Sequence, residues 1–139
     1  MYPPPESSIE SYTVALAGNP NVGKSTVFNA LTGMHQHTGN WAGKTVSTAA
    51  GICTISGVPI QLIDLPGTYS LRAQSAEETA ARDFLCFSRP DAVLAVCDAS
   101  ALERNLILLL QIQELGLPVF LCINLLDEAE QRGIAPRCS

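Results

Sequence analysis

Apolar residues in this chain gather into five short runs, each bounded by glycine, proline or polar clusters. Tyr12 to Ala17, Ala49 to Ser56, Val58 to Ile63, Ala92 to Asp98 and Val119 to Ile123 are each of strand length and carry β-branched or aromatic residues, the pattern of buried strands. Gly57 between the second and third marks a hairpin. Helical spacing fills the intervals. Val27, Phe28, Ala30 and Leu31 predict a helix from about Lys24 that Gly33 caps, and Ala80, Ala81, Phe84 and Leu85 one over Glu77 to Phe87 that Arg89-Pro90 ends. Leu102 to Leu115 is a longer helix closed by Gly116, with Glu103, Arg104 and Glu114 on its solvated face. Strands alternating with helices predict an α/β domain: a mostly parallel sheet, an antiparallel hairpin strand and helices on both faces.

Two stretches lack either period. Gly33 to Thr48, with three internal or leading glycines and many polar residues, is expected to be a long functional loop in which Trp41 packs the chain down or gates it. Thr68 to Ala76 is a second polar loop. Residues 1–11, with Pro3-Pro4-Pro5, read as a disordered leader, and residues 133–139 as a short tail.

The chemistry concentrates between the first strand and the first helix. Gly18-Asn19-Pro20-Asn21-Val22-Gly23-Lys24-Ser25-Thr26 fits the phosphate-loop pattern G-x-x-x-x-G-K-[ST] without a mismatch, in the strand–loop–helix context it requires. Gly18 and Gly23 are expected to adopt backbone angles closed to other residues, so that N–H groups converge on an anion. The helix N-terminus adds its positive dipole end. Lys24 supplies a mobile charge for β- and γ-phosphates, and Ser25 a hydroxyl ligand for Mg²⁺.

Asp64, at the end of a strand 40 positions after Lys24, opens Asp64-Leu65-Pro66-Gly67. It suits the second Mg²⁺-side carboxylate, with the Gly67 N–H within reach of a γ-phosphate. The last strand ends in Asn124-Leu125-Leu126-Asp127. An aspartate can accept paired hydrogen bonds from guanine N1–H and its 2-amino group, a donor pair adenine lacks. Asn124 would meet the O6/N7 side and brace the phosphate loop. Leu125 stands where GTPases usually carry a lysine along the base, which predicts somewhat weaker GTP binding and no change of base. A strand-end Asn and Asp that merely cap the next helix are the other reading.

Composition narrows the class. A net charge of −5 with only two lysines, Lys24 and Lys44, gives no basic footprint for nucleic acid. No apolar run approaches the roughly 20 residues that span a bilayer, and the first ten residues lack the plan of a signal peptide. Five cysteines without a C-x-x-C pair suit a reducing cytoplasm, with Cys97 and Cys122 as core residues. His35 and His37, without a third ligand, make a weak case for a metal.

From Tyr12 to Arg132 the chain resembles the G domain of the ferrous iron transport protein B family. Beyond the general GTPase motifs, the resemblance rests on Gly18-Asn19-Pro20-Asn21, Gly39-Asn40-Trp41-Ala42-Gly43, Asp64-Leu65-Pro66-Gly67-Thr68-Tyr69-Ser70, Leu102-Glu103-Arg104-Asn105-Leu106 and the apolar residue after Asn124. It implies a P-loop NTPase fold of the small-GTPase kind, a three-layer sandwich that binds GTP and GDP and hydrolyses GTP slowly. It further implies that Thr45 reaches Mg²⁺ and the γ-phosphate, that Gly43, Lys44, Thr45, Val46 and Ser47 line the nucleotide, and that Asn21 helps to hold a K⁺ ion. Lys24, Asn21 and Thr45 would then be catalytic, and Ser25, Thr45 and Asp64 the metal residues. Lys44 and Ser47 depart from the family's usual apolar and acidic residues. Similar G domains continue through another helix, a further strand and a guanine-contacting loop into a membrane transporter, at whose cytoplasmic face such a domain would sit. This chain stops at Ser139, so the reading expects the last strand and helix to be missing. A domain that holds nucleotide without turnover, and a related soluble GTPase of the translation-factor class, remain as alternatives, as does a fragment too incomplete to fold.

Overall fold

The computed structural model describes residues 11–33, 36–40 and 47–124. Six strands and three α-helices follow one another along them: β1 (Tyr12–Gly18), α1 (Lys24–Thr32), β2 (Gln36–Asn40), β3 (Ser47–Ile55), β4 (Val58–Asp64), α2 (Ala76–Asp83), β5 (Ala92–Asp98), α3 (Leu102–Glu114) and β6 (Val119–Asn124). They form one sheet in the order β2-β3-β4-β1-β5-β6. β4, β1, β5 and β6 run parallel, while β2 and β3 are antiparallel to their neighbours. All parallel strands therefore deliver their carboxyl ends to one edge, where open α/β sheets bind ligands.

Alternation along β1 sorts the core into two layers. Ala15 and Ala17 face the side covered by α2 and α3, packing with Ile63, Val93, Ala81, Leu85, Leu108 and Ile112. Leu16 faces the other side, with Leu62 and Phe28 of α1. The result is the expected three-layer sandwich.

The β3–β4 hairpin turns through Ser56 and Gly57 at φ 51° and 80°. Two successive positive φ values give a tight turn whose twist matches that of the strands it joins. α1 ends as expected, Gly33 taking the left-handed conformation with its N–H on the Asn29 carbonyl.

Four expectations need correction. The stretch after Gly33 is not all loop, because Gln36–Asn40 pairs with β3 from Gln36 opposite Gly51 to Asn40 opposite Ser47. Gln36-His37-Thr38-Gly39-Asn40 has no apolar residue to mark a buried face, so a strand held by its backbone ladder leaves no hydrophobic period to read. The second helix is α-helical only to Asp83 and then widens into a π-turn over Phe84–Ser88. That wider turn buries Phe84 and Leu85 in succession while Phe87 stands 82% exposed, and Arg89 at φ 43° stops it before Pro90.

The third correction concerns β6, which is not a fully buried strand: Phe120, Leu121 and Ile123 are 41–62% exposed. Among the described residues β6 pairs with β5 alone, so one edge has no neighbour. The outward side of α3 carries Leu102, Leu106 and Leu110 as well as the exposed Glu103, Arg104 and Glu114. Fourth, Cys97 is buried but Cys122 only partly so. Burial pushes the Cys97 thiol up, and the neighbouring Cys122 adds to the shift.

Phe28, 1% exposed, is the largest side chain sealing the α1 face. Phe28→Ala should lower unfolding free energy by about 3–5 kcal/mol in a denaturant titration. A loss below about 1 kcal/mol would mean that α1 contributes little to the core.

Candidate phosphate-binding site

β1 delivers the chain to the carboxyl edge at Gly18, and α1 begins at Lys24. Gly23 takes φ 84°, the left-handed region that favours glycine. Gly18 does not; its glycine is required by crowding, since a Cβ there would lie 2.6 Å from the Val96 carbonyl oxygen. The second left-handed residue of the loop is Asn21, at φ 64°, a conformation asparagine tolerates better than most. Val22 is buried under the loop, while Asn21, Ser25 and Thr26 are exposed.

The segment after β4 lies against this loop. Leu65 N–H donates to the Leu16 carbonyl and Thr68 N–H to the Gly18 carbonyl, both at 3.0 Å. A Cβ on Gly67 would lie 3.1 Å from Pro20 Cα, so the glycine permits close approach. Leu65 and Thr68 are buried, with Pro66 between them half-buried. Asp64 forms a salt bridge with Lys24, which brings the loop's cation to the strand-end carboxylate.

From the far side comes Asn124. Its Nδ2 donates to the Val22 carbonyl at 3.1 Å, and a Cβ on Gly23 would sit only 1.9 Å from that nitrogen. The strand that carries the candidate base-recognition motif thus braces the phosphate loop directly.

Together these elements enclose a cleft of about 570 Å³ lined by Asn19, Pro20, Asn21, Gly23, Lys24, Ser25 and Gly67, within the size range of small-molecule sites. Its floor is a helix N-terminus with a lysine, arranged for an anion. The structure brings together three separate stretches of the chain: Lys24 with Ser25, Asp64 with Gly67, and Asn124. Residues 1–10, Trp41, Gly43, Lys44, Thr45, Val46, Leu125, Leu126, Asp127 and residues 133–139 lie outside the described residues, and Ser47 is described in its backbone alone.

Asn19 belongs to the loop expected from sequence, whereas Glu78 and Gln111 left no mark among the expected site residues. Asn19 is 3% exposed, and among the described residues neither polar atom of its side chain has a hydrogen-bond partner. Glu78 accepts hydrogen bonds from Ser70 Oγ and Gln74 N–H, and Gln111 accepts one from Leu71 N–H. Only Glu78 had a sequence signal: Ser75-x-x-Glu78 has the capping-box spacing, and the Ser75 hydroxyl accepts the Glu78 N–H.

The family model described as "Ferrous iron transport protein B" matches residues 12–137. The chain belongs to that family. The ferrous iron transport protein B relatives include the Fe(2+) transporter FeoB of Methanocaldococcus jannaschii, 52% identical over 78% of this chain and 16% of its own length. The G domain of the T. maritima FeoB iron transporter superposes with a TM-score of 0.84 at 48% identity, covering 88% of this chain and 77% of that one. The cytosolic domain of the same transporter in its GMPPNP form gives a TM-score of 0.83 at 48% identity over 88% of this chain and 48% of its own. The fold is accordingly that of the FeoB G domain, an α/β P-loop GTPase fold. This chain spans between 14% and 17% of the length of the curated FeoB relatives it matches. Among the described residues no helix is long and apolar enough to cross a membrane.

The crowding at Gly23 is open to test. Gly23→Ala must displace the Asn124 amide and should lower thermal stability by about 1 kcal/mol or more. In an Asn124→Ala background the same change should cost clearly less, as expected for residues in contact. Strictly additive losses would show that the two positions do not touch.

Proposed function

We propose that this chain binds guanine nucleotides and hydrolyses GTP slowly, as the regulatory G domain of a ferrous iron transporter. The observation that carries the reading is the convergence of two distant residues on the phosphate loop: the Asp64 carboxylate in contact with Lys24, and Asn124 bonded to the Val22 carbonyl. The GMPPNP form of a relative's cytosolic domain supports a guanine nucleotide as the ligand.

In this mechanism the N–H groups from Asn21 to Thr26 hold the phosphates and Lys24 draws charge from the β- and γ-positions. Asn124 and Asp127 select guanine, with Leu125 covering the base and Leu126 spacing the two polar residues. Ser25, Thr45 and Asp64 form an all-oxygen donor set that fits Mg²⁺. Those three residues would hold the ion, which when bound would supply positive charge to offset that of the phosphates. Asn21, exposed at the mouth of the loop, offers a carbonyl oxygen for K⁺. Gly43, Lys44, Val46 and Ser47 flank Thr45 along the nucleotide. No glutamine follows Gly67, where Thr68 and Tyr69 stand. Backbone of the two loops must therefore orient the attacking water, and hydrolysis is slow for that reason. The domain's output would reach the transporter part of the same protein at the cytoplasmic face of the membrane.

Holding nucleotide without turnover is the second reading, favoured by the absence of that glutamine. The translation-factor class finds no such support, since the family match and the relatives named above point to the transporter's G domain.

A fluorescent GTP analogue, competed with GTP, GDP and ATP in Mg²⁺ and K⁺, tests the site. GTP and GDP should displace it and ATP should fail. Lys24→Ala should abolish binding. Asp127→Asn should weaken GTP selectively, by roughly tenfold or more for a lost buried charge-assisted pair. Equal weakening of GTP and ATP would refute the base assignment. Single-turnover hydrolysis then separates the enzyme from the binding module.

A further inference from the structure

The loop between Gly67 and α2 has no regular structure, yet it is tied down at four points. Thr68 N–H bonds to Gly18, and Ser70 Oγ and Gln74 N–H reach the Glu78 carboxylate at 3.2 and 3.4 Å. The fourth tie is the shortest: Leu71 N–H donates to Gln111 Oε1 at 2.6 Å, across 40 positions of sequence. It alone of these four fastens the loop to α3. Gln111 sits between Leu108 and Ile112, which are buried against the sheet, so its own backbone is rigidly placed. Leu71 packs its side chain against the same core cluster.

Between the Gln111 tie and the Gln74 tie lies Ala73 at φ 61°. A non-glycine residue in the left-handed region is strained, and it persists only where its surroundings hold it. The loop therefore has a strained residue bracketed by two clamps.

We propose that Gln111 is a positioning residue for GTP hydrolysis, a latch that holds the loop after Gly67 in register with the phosphate site. The inference rests on the hydrolysis reading given above. Where no glutamine orients the water, the precision must come from backbone, and backbone in an irregular loop is only as well placed as its attachments. The latch also gives α3 a direct line to the nucleotide, because any shift of Gly67 with the γ-phosphate pulls on Leu71 four residues later.

The test uses two variants of the full chain. Gln111→Met keeps the length and helix propensity but removes the acceptor; Gln111→Glu retains an acceptor. Amide exchange at Leu71, measured without nucleotide and free of any catalytic readout, should be about tenfold faster in Gln111→Met and near wild type in Gln111→Glu. Single-turnover GTP hydrolysis should fall by about tenfold in Gln111→Met and recover in Gln111→Glu, with GDP affinity unchanged in both. Unchanged Leu71 exchange in Gln111→Met would overturn the latch. Faster exchange with an unchanged rate would overturn its role in hydrolysis, as would a parallel loss of GDP affinity, which marks a purely structural side chain. If the wild type binds GTP without turnover, the hydrolysis reading fails by itself. Leu71 protection that did not then differ between GDP and a GTP analogue would overturn the latch as well.

Discussion

The hydrogen bond from Asn124 to the Val22 carbonyl is the constraint on which the site depends. It joins residues 102 positions apart and reaches the loop from β6, on the other side of β1 from the β4 strand that carries Asp64. With Leu65 and Thr68 bonded to β1 on the other flank, the phosphate loop is gripped from both sides. Glycines make that grip possible, by two routes. Gly18 and Gly67 let backbones approach, and Gly23 both turns left-handed and leaves room for the Asn124 amide. Preorganisation of this kind is what an anion site needs, since N–H groups that must first be ordered give back part of the binding energy.

Much of this was legible in the chain itself. The phosphate loop, the strand-end aspartate and Asn124 announce themselves because their motifs fix residue types at fixed spacings. The apolar runs of β1 and β5 were legible because burial demands apolar side chains in sequence, while β6 carries the same pattern with Phe120, Leu121 and Ile123 exposed. β2 was illegible because its pairing uses backbone groups that every residue owns. The reason for Gly18 was misjudged because crowding by Val96 is a fact of tertiary contact, invisible in local sequence. Gln111 was hidden most thoroughly, since a glutamine in a helix has no local signature and its partner is a backbone N–H in a distant loop.

α3 emerges as a helix with two different faces. Leu108 and Ile112 seal the sheet, Gln111 reaches the loop after Gly67, and Leu102, Leu106 and Leu110 stand exposed. Such an apolar surface on a helix already tied to the phosphate site is where a change of loop position would become visible to a neighbour.

The Ser56-Gly57 turn has a bearing on how the chain reaches this arrangement. β3 and β4 meet across two residues, whereas β1 finds β4 and β5 only after closing loops of about 50 and 80 residues. Loop entropy is lowest for the hairpin and must be met before the distant pairings repay it. The antiparallel corner is thus positioned to assemble first and to offer β4 as a template for β1. The phosphate loop, hung between β1 and α1, takes shape only once that central pairing exists, which makes nucleotide affinity a late reporter of folding.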